Sequence, residues 1–188
     1  DVPENKRAGA QLLLKTLVSA HATEDLVCSK FIQTVEDENG LLQSIHFTNE
    51  EKFNFAFDVV DAIAKKEPDK LAMVHLDVNK VERRFTFNDM KRASAQCANY
   101  FKALGIKKGD RVMLVLKRHY QFWYAILGLH KLGAIAIPAT SLLQQHDYEY
   151  RFQAAGVSAI VCTADGDCAH QADLAAASCP ELKIKILV

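Results

Sequence analysis

Charged and hydroxyl side chains follow three short apolar runs of this sequence, and they are the first candidates for chemistry. Lys117, Arg118 and His119 follow "MLVL", Thr140 and Ser141 follow "AIAIP", and the acidic segment "TADGD" follows "AIVC". Basic side chains can hold a phosphate group, because charge-assisted hydrogen bonds to phosphate oxygens are strong. A solvated rim of basic residues is the alternative interpretation of the first cluster, and the sequence leaves both open.

The glycine-rich and nucleophile motifs of common enzymes are missing from these junctions. The sequence contains neither G-x-G-x-x-G nor G-x-x-x-x-G-K-[ST], the two motifs that cradle the phosphates of dinucleotides and nucleoside triphosphates. It also lacks the G-x-S-x-G turn that presents a catalytic serine. We therefore predict no catalytic residue within the chain.

The cysteines do not predict a metal site. Cys162, Cys168 and His170 lie close together in the sequence, but their spacing matches no standard set of zinc ligands. The chain has five cysteines, an odd number, and no C-x-x-C pair. This pattern is typical of free thiols in the reducing cytoplasm.

Composition predicts a soluble cytoplasmic protein with a substantial core. Of the 188 residues, 49% are hydrophobic, and 23 basic residues balance 23 acidic ones. A neutral chain gives no electrostatic reason to expect nucleic acid as a partner. The longest apolar stretch is interrupted by His130 and Lys131, so it falls short of the roughly 20 residues that a membrane span needs.

The elements that must position the candidate residues follow a regular order. The segment "NFAFDVVDAIAKKEPD" predicts a helix, residues 70–77 and 82–87 predict a pair of strands, and Thr86 with Asp89 predicts a capped helix that ends at Gly105. Four short apolar strands then alternate with three helices up to "KIKILV". Connections of this length favour parallel strands with helices on both faces. We therefore predict an α/β fold, a doubly wound and mostly parallel sheet with flanking helices.

Residues 1–50 differ from the rest and predict a helical N-terminal arm without assigned function. A helix or two in "GAQLLLKTLVSAHATEDLVCSKFIQTVEDENG" would end in the turn-prone segment "DENG". Residues 51–188 form the predicted α/β domain.

The segment "LGIKKGDRVMLVLKRHYQFWYAILGLHKLGAIAIPAT" carries a resemblance to a known family. With its flanks it resembles the N-terminal domain of the AMP-forming acyl-CoA synthetases, which are members of the adenylate-forming superfamily. The resemblance covers residues 53–188 and is closest in character to the medium-chain and aromatic acyl-CoA ligases. The matching features are Phe85-Thr86-Phe87, Lys108-Gly109-Asp110-Arg111-Val112, Leu132-Gly133-Ala134, Pro138, Tyr150-Arg151 and "GVSAIVC".

The resemblance implies a two-step reaction by a longer protein. A carboxylate attacks the α-phosphate of ATP to give an acyl-adenylate and pyrophosphate, and the thiol of coenzyme A (CoA) then displaces AMP. ATP, Mg²⁺ and CoA would serve the full-length enzyme, together with a small carboxylate substrate. The family's lysine-ended phosphate loop and mobile C-terminal domain are not in residues 1–188. We therefore expect the chain to be a truncated, inactive part of the domain with no tightly bound cofactor.

Three residues are candidate contacts of CoA by this resemblance alone: Thr140, Ser141 and Arg151. Where some relatives have glycines in the first loop, this chain has Ala139-Thr140-Ser141. Arg151 also lies four residues after Asp147, so a helical ion pair is an equally good interpretation of that side chain.

Two other functions stay open at this stage. One is a self-contained flavodoxin-like module that binds a ligand or regulates without catalysis. The other is a degenerate synthetase domain that has been kept for protein contacts. Neither composition nor motifs predict the oligomeric state, and an oligomer is possible.

Overall fold

A computed structural model describes residues 30–188 of the chain. The chain divides into two compact units, Asp1–Phe53 and Asn54–Val188. In the described part of the first unit, strand β1 (Ile32–Glu36) pairs antiparallel with strand β2 (Leu42–Phe47), and a 3₁₀ turn follows at Glu50–Lys52.

The prediction of a helical arm is wrong for residues 32–47, which form this hairpin. The carboxylate of Asp37 accepts hydrogen bonds from the backbone N–H groups of Asn39 and Leu41, and Gly40 has a φ of 76°. An aspartate that bonds the backbone two residues on, followed by a glycine at positive φ, closes a tight turn between two strands. The turn was predicted, but it connects strands rather than ending a helix. The remainder of the predicted arm, residues 1–29, lies outside the described residues.

The second unit begins with a π-helical segment (Ala56–Asp61) that continues into helix α1 (Ala62–Lys66). Strands β3 (Leu71–Leu76) and β4 (Glu82–Thr86) form an antiparallel hairpin, and helix α2 runs over Phe87–Ala103. The remaining elements are β5 (Arg111–Val115), α3 (Gln121–Leu132), β6 (Ile135–Pro138), α4 (Gln145–Ala155), β7 (Ala159–Cys162), α5 (Cys168–Ala176) and β8 (Ile184–Leu187).

The last four strands form one parallel sheet in the order β6-β5-β7-β8. Side chains of β5 alternate between its two faces, as strand geometry requires. Val112 and Leu114 pack with helices α2 and α3, whereas Met113 and Val115 pack with α4 and α5. The predicted doubly wound parallel sheet with helices on both faces is confirmed.

Helix α2 has the predicted capping box. The Thr86 hydroxyl accepts the N–H of Asp89 at 3.1 Å, and the Asp89 carboxylate accepts the N–H of Thr86 at 2.9 Å. These bonds satisfy two backbone donors that a helix start leaves open. The bond from the Thr86 backbone, and then the bond from its hydroxyl, lower the pKa of Asp89 below its ordinary value of 3.8.

We expect the Thr86→Ala variant to lose about 1 kcal/mol of unfolding free energy, since the cap of a 17-residue helix is lost.

We expect Asp89→Asn to be destabilising at neutral pH. The folded pKa of Asp89 is lowered, so its stabilisation is present above the ordinary value of 3.8 and is lost as the pH falls through the folded pKa. Urea titrations at pH 7 and pH 3 measure both effects. A gap between wild type and Asp89→Asn that does not shrink in acid would contradict this account.

Helices α2 and α3 approach each other closely at Gly128. A Cβ atom added there would lie 2.9 Å from Cys97 Cβ and 3.1 Å from both Ser94 O and Ala98 N. Only a residue without a side chain fits such a contact. The side chain of Cys97 is mostly buried beside it, and this burial raises the pKa of the thiol.

A buried ion pair joins α3 to the helical segment at the start of this unit. Lys131 Nζ lies 2.9 Å from Asp61 Oδ1 and 3.0 Å from Asp61 Oδ2, and it donates a further hydrogen bond to the Lys91 carbonyl at 3.2 Å. Only 6% of the Lys131 side chain and 18% of the Asp61 side chain are exposed. A lysine buried to this degree needs such partners.

Candidate functional site

The candidate site lies where the helices leave the sheet on opposite faces. The chain after β5 enters α3 on one face, whereas the chain after the neighbouring strand β7 enters α5 on the other. Ligands of open α/β sheets bind in the crevice that such a reversal leaves at the carboxyl ends of the strands.

An open cleft of about 780 Å³ occupies this position. Its volume is in the range of sites for small molecules and cofactors. The residues around it come from the ends of β3, β5, β6 and β7 and from the start of α3: His75, Leu76, Asp77, Val78, Leu114, Leu116, Lys117, Arg118, His119, Phe122, Ala139, Thr140, Ser141 and Asp165.

The basic cluster predicted from the sequence lies in the wall of this cleft. Lys117 and Arg118 are exposed and follow the buried end of β5 directly. Lys117 has a φ of 43°, a left-handed conformation that costs a residue with a side chain about 1–2 kcal/mol. Such conformations cluster at functional sites, where the surrounding structure holds them in place.

His119 connects the loop after β5 to the loop after β7. Its Nε2 atom shares a hydrogen bond of 2.8 Å with the hydroxyl of the fully buried Thr163 and lies 3.3 Å from Asp165 Oδ2. The same hydroxyl accepts the backbone N–H of Asp165 at 3.1 Å. These contacts of Nε2 hold the His119 ring in place. His119 therefore positions the loop that carries Lys117 and Arg118.

Two polar contacts at the rim of the cleft were not predicted from the sequence. Asp77 pairs with Arg83 at 3.0 Å, and its other carboxylate oxygen accepts the N–H groups of Asn79 and Val81. The bond from Val81 contributes most to holding the pKa of Asp77 below its ordinary value. His75 shares a hydrogen bond with the Arg118 carbonyl at 3.1 Å, which brings the β3–β4 hairpin up to the basic loop.

Thr140 and Ser141 lie in the same cleft, on the loop after β6. The Thr140 hydroxyl accepts the N–H of Leu142 at 3.3 Å, which leaves its own O–H available as a donor. The Ser141 carbonyl accepts a hydrogen bond from the buried Cys168 thiol at 3.1 Å, which ties this loop to the start of α5. Two of the three residues expected from the resemblance are therefore brought together.

Arg151 does not line this cleft. Its side chain is 40% exposed on α4, where Nη1 donates to the Asp147 carbonyl at 3.1 Å and lies 3.7 Å from Asp147 Oδ1. This is the helical pairing that the sequence offered as the alternative. A contact between Arg151 and CoA stays a prediction.

A second cavity, of about 660 Å³, lies beside the first and shares the basic loop with it. Its wall includes five aromatic side chains: Phe55, Phe87, Tyr120, Phe122 and Trp123. The ring of Tyr120 also packs against two aromatic residues outside the wall, with centroids 5.1 Å from Phe85 and 5.7 Å from Tyr124. Burial, and then the neighbouring Tyr120, raise the pKa of Tyr124 to about 12. Trp123 is 51% exposed at its edge and contacts the ring of Phe122.

Within residues 30–188 no group of three His, Cys, Asp or Glu side chains could hold a metal ion. Cys162 and Cys168 are instead buried in the core under α4 and α5, and burial raises the pKa of Cys162 to about 11. None of the helices in the described part of the chain has the length and apolar character needed to cross a membrane.

Comparison with known proteins assigns the chain to a family. The family model described as AMP-binding enzyme matches residues 60–188. The chain belongs to the AMP-binding enzyme family. This finding confirms the resemblance to acyl-CoA synthetases that the strand, hairpin and helix signals indicated.

Curated relatives carry the corresponding names. The chain is 38% identical over 144 residues to acyl-coenzyme A synthetase ACSM5, mitochondrial, of Rattus norvegicus, covering 73% of this chain and 25% of the relative. It is 36% identical over 143 residues to acyl-coenzyme A synthetase ACSM2A, mitochondrial, of Homo sapiens, covering 73% of this chain and 24% of the relative. The chain thus spans about a quarter of the length of these AMP-binding relatives.

Solved structures of AMP-binding enzymes have the same fold. The N-terminal domain of FACL13 from Mycobacterium tuberculosis matches with a TM-score of 0.62 and 25% identity, over 72% of this chain and 34% of that one. A benzoate CoA ligase from Burkholderia xenovorans matches with a TM-score of 0.60 and 20% identity, over 72% of this chain and 26% of that one. At 20% identity the second match supports the fold alone.

Proposed function

We propose that this chain is part of an ATP-dependent carboxylate–CoA ligase and that the cleft around Thr140 and Ser141 contributes to its CoA site. The observation that carries the proposal is the family match over residues 60–188, together with relatives named acyl-coenzyme A synthetase. The position of both hydroxyls in a cleft at the carboxyl ends of the strands supports it.

The reaction proposed for the whole protein has two half-reactions. A carboxylate oxygen attacks the α-phosphorus of ATP, which releases pyrophosphate and leaves an acyl-adenylate. The CoA sulfur then attacks the acyl carbon, and AMP leaves with the electron pair of the broken bond. Only the second half-reaction uses CoA, so residues of the CoA site should affect the second step and not the first.

The chain's own residues would bind and orient rather than react. Hydroxyl donors such as Thr140 and Ser141 suit the phosphate and amide oxygens of CoA. Mg²⁺ serves such enzymes by neutralising phosphate charge. Since the described residues hold no cluster of metal ligands, we assign them no part in binding it.

We test the proposal on the protein produced from its own gene, with the Thr140→Ala/Ser141→Ala variant beside it. Loss of two neutral hydrogen bonds amounts to about 1–3 kcal/mol, so we expect the KM for CoA to rise roughly tenfold. The carboxylate-dependent exchange of pyrophosphate into ATP, which precedes CoA, should keep its rate. If the variant loses the same fraction of its activity in the CoA-dependent assay and in the exchange assay, a role of these residues in binding CoA is contradicted. If wild type shows no pyrophosphate exchange with any carboxylate tried, the ligase assignment is overturned.

Arg151→Gln separates the two interpretations of that residue in the same assays. A rise in the KM for CoA alone would support a contact with CoA. A KM that does not change, with stability lower by a few tenths of a kcal/mol, would leave only the helical pair with Asp147. The 188-residue chain by itself is expected to show no exchange.

A further inference from the structure

We propose that Lys117 and Arg118 form a binding site for the diphosphate group of a nucleotide, in the cleft at the carboxyl ends of β5 and β6. The identity of the nucleotide rests on the function proposed above, since CoA and ATP both carry such a group. Binding of the anion itself rests only on the charge and shape of the cleft.

The basic residues of the cleft outnumber their charged partners. Neither Lys117 nor Arg118 makes an ion pair with any residue of the described chain, although both line the cleft. Each of the two carboxylates in the same walls has a nearby partner, but the histidine beside Asp165 carries a charge only when it is protonated. Asp77 is paired with Arg83 at 3.0 Å, and Asp165 lies 3.3 Å from His119. Two cations that make no ion pair within residues 30–188 therefore border a concave surface, where the field of like charges is focused.

Neighbouring residues hold the basic loop in place. Lys117 keeps its left-handed conformation, with a φ of 43°. A Cβ atom added at Gly166, which has a φ of 74°, would lie 3.4 Å from Lys117 Nζ. The ammonium group of Lys117 thus lies against the turn between β7 and α5, where a larger residue would crowd it. His119 and Thr163 fix the other end of the loop through their 2.8 Å hydrogen bond.

Other residues that line the cleft suit a phosphate group as well. Thr140 and Ser141, which carry hydroxyl groups, line the same cleft, and so do the apolar residues Leu116 and Phe122. Phosphate oxygens accept hydrogen bonds from hydroxyls and charge-assisted bonds from Lys and Arg. A cleft of about 780 Å³ accommodates a nucleotide diphosphate together with part of the group attached to it.

The experiment uses equilibrium titration of the purified chain with inorganic pyrophosphate, CoA and ATP as separate probes. The test variant is Lys117→Met/Arg118→Met. The matched control is Lys107→Met/Lys108→Met, which removes an adjacent basic pair before the opposite, amino-terminal end of β5. We expect pyrophosphate to bind the test variant at least tenfold more weakly than wild type. The control should change the Kd by less than twofold.

The probes and a salt series distinguish the sources of the anion. Screening by salt should weaken binding to wild type and control alike, and it should have little effect on the residual binding to the test variant. Tighter binding of CoA than of ATP and pyrophosphate would assign the site to CoA, and tighter binding of ATP would assign it to ATP. Equal weakening by test and control variants would overturn the proposal, and so would absence of pyrophosphate binding to wild type at millimolar concentration.

A second variant guards against loss of fold. Lys117→Gly/Arg118→Gln also removes both charges, but the glycine adopts the left-handed conformation without strain. It should therefore be at least as stable as wild type and should bind pyrophosphate as weakly as the methionine variant. If both variants bind pyrophosphate as tightly as wild type does, the diphosphate site is refuted. If the whole protein also has ligase activity, the proposed function is not affected by that result.

Discussion

Asp61→Leu is expected to lower the free energy of unfolding of the unit formed by residues 54–188 by about 3 kcal/mol. The substitution leaves the Lys131 ammonium, on a side chain that is only 6% exposed, without its carboxylate. The hydrogen bond to the Lys91 carbonyl at 3.2 Å and the Phe57 ring 5.5 Å away remain, but neither carries a full negative charge. Taking an unpaired charge out of water is costly, and that cost dominates the expected effect.

A double-mutant cycle separates the ion pair from the packing around it. Lys131→Met added to Asp61→Leu removes the unpaired charge, so we expect the double variant to return to within about 1 kcal/mol of wild type. The control is Asp173→Leu, which breaks the pair with Lys185 at 2.7 Å. Both of those side chains are more than half exposed, so the change should stay below about 1 kcal/mol. If the loss of unfolding free energy in the double variant equals the sum of the losses in the two single variants, the two charges stabilise the fold independently and the account is contradicted.

The second large effect is expected from Gly128→Ala, which should lower the free energy of unfolding by about 2 kcal/mol. The new methyl group meets Cys97 Cβ at 2.9 Å and backbone atoms of Ser94 and Ala98 at 3.1 Å. Backbone atoms cannot rotate away, so α2 and α3 must separate, and such overpacking costs typically 1–3 kcal/mol or more. The higher helix propensity of alanine offsets up to about 1 kcal/mol of that loss.

Gly105→Ala provides the contrast, because its cost has a different origin. Gly105 has a φ of 92°, and an added Cβ would have no neighbour within 4 Å. Only backbone strain of about 1 kcal/mol is expected there. Denaturant titrations followed by circular dichroism should therefore rank Gly128→Ala as the less stable variant. The reverse order would mean that the two helices separate without difficulty.

Much of the second unit could be predicted because its signals are local. The capping box at Thr86 and Asp89 lies within four residues, and Gly105 and Gly133 both end helices in the left-handed conformation. The central strands β5 and β7 of the parallel sheet are buried on both faces, so they appear in the sequence as short apolar runs. The hairpin at residues 32–47 was missed for the opposite reason. Most of its side chains are exposed, so its strands carry little hydrophobic alternation.

The site could be predicted only in part, because its contacts depend on which strands become neighbours. The sequence placed Lys117–His119 and Thr140–Ser141 at strand ends, and the structure brings both segments to one cleft. The bond between His119 and Thr163 spans 44 residues and requires β5 to lie next to β7. Nothing local indicates that order. The absence of Arg151 from the lining of the cleft likewise depends on how α4 is rotated against the sheet.

Trp123 is the one tryptophan in the sequence, and its half-exposed ring lies against Phe122, a residue that both cavities share. The protein therefore has an intrinsic fluorophore next to its candidate site. Emission from an indole depends on its contact with water, so a molecule that displaces solvent beside Phe122 should shift the emission to shorter wavelength. Ligands can be screened in this way without a label, and with no need to know the reaction beforehand.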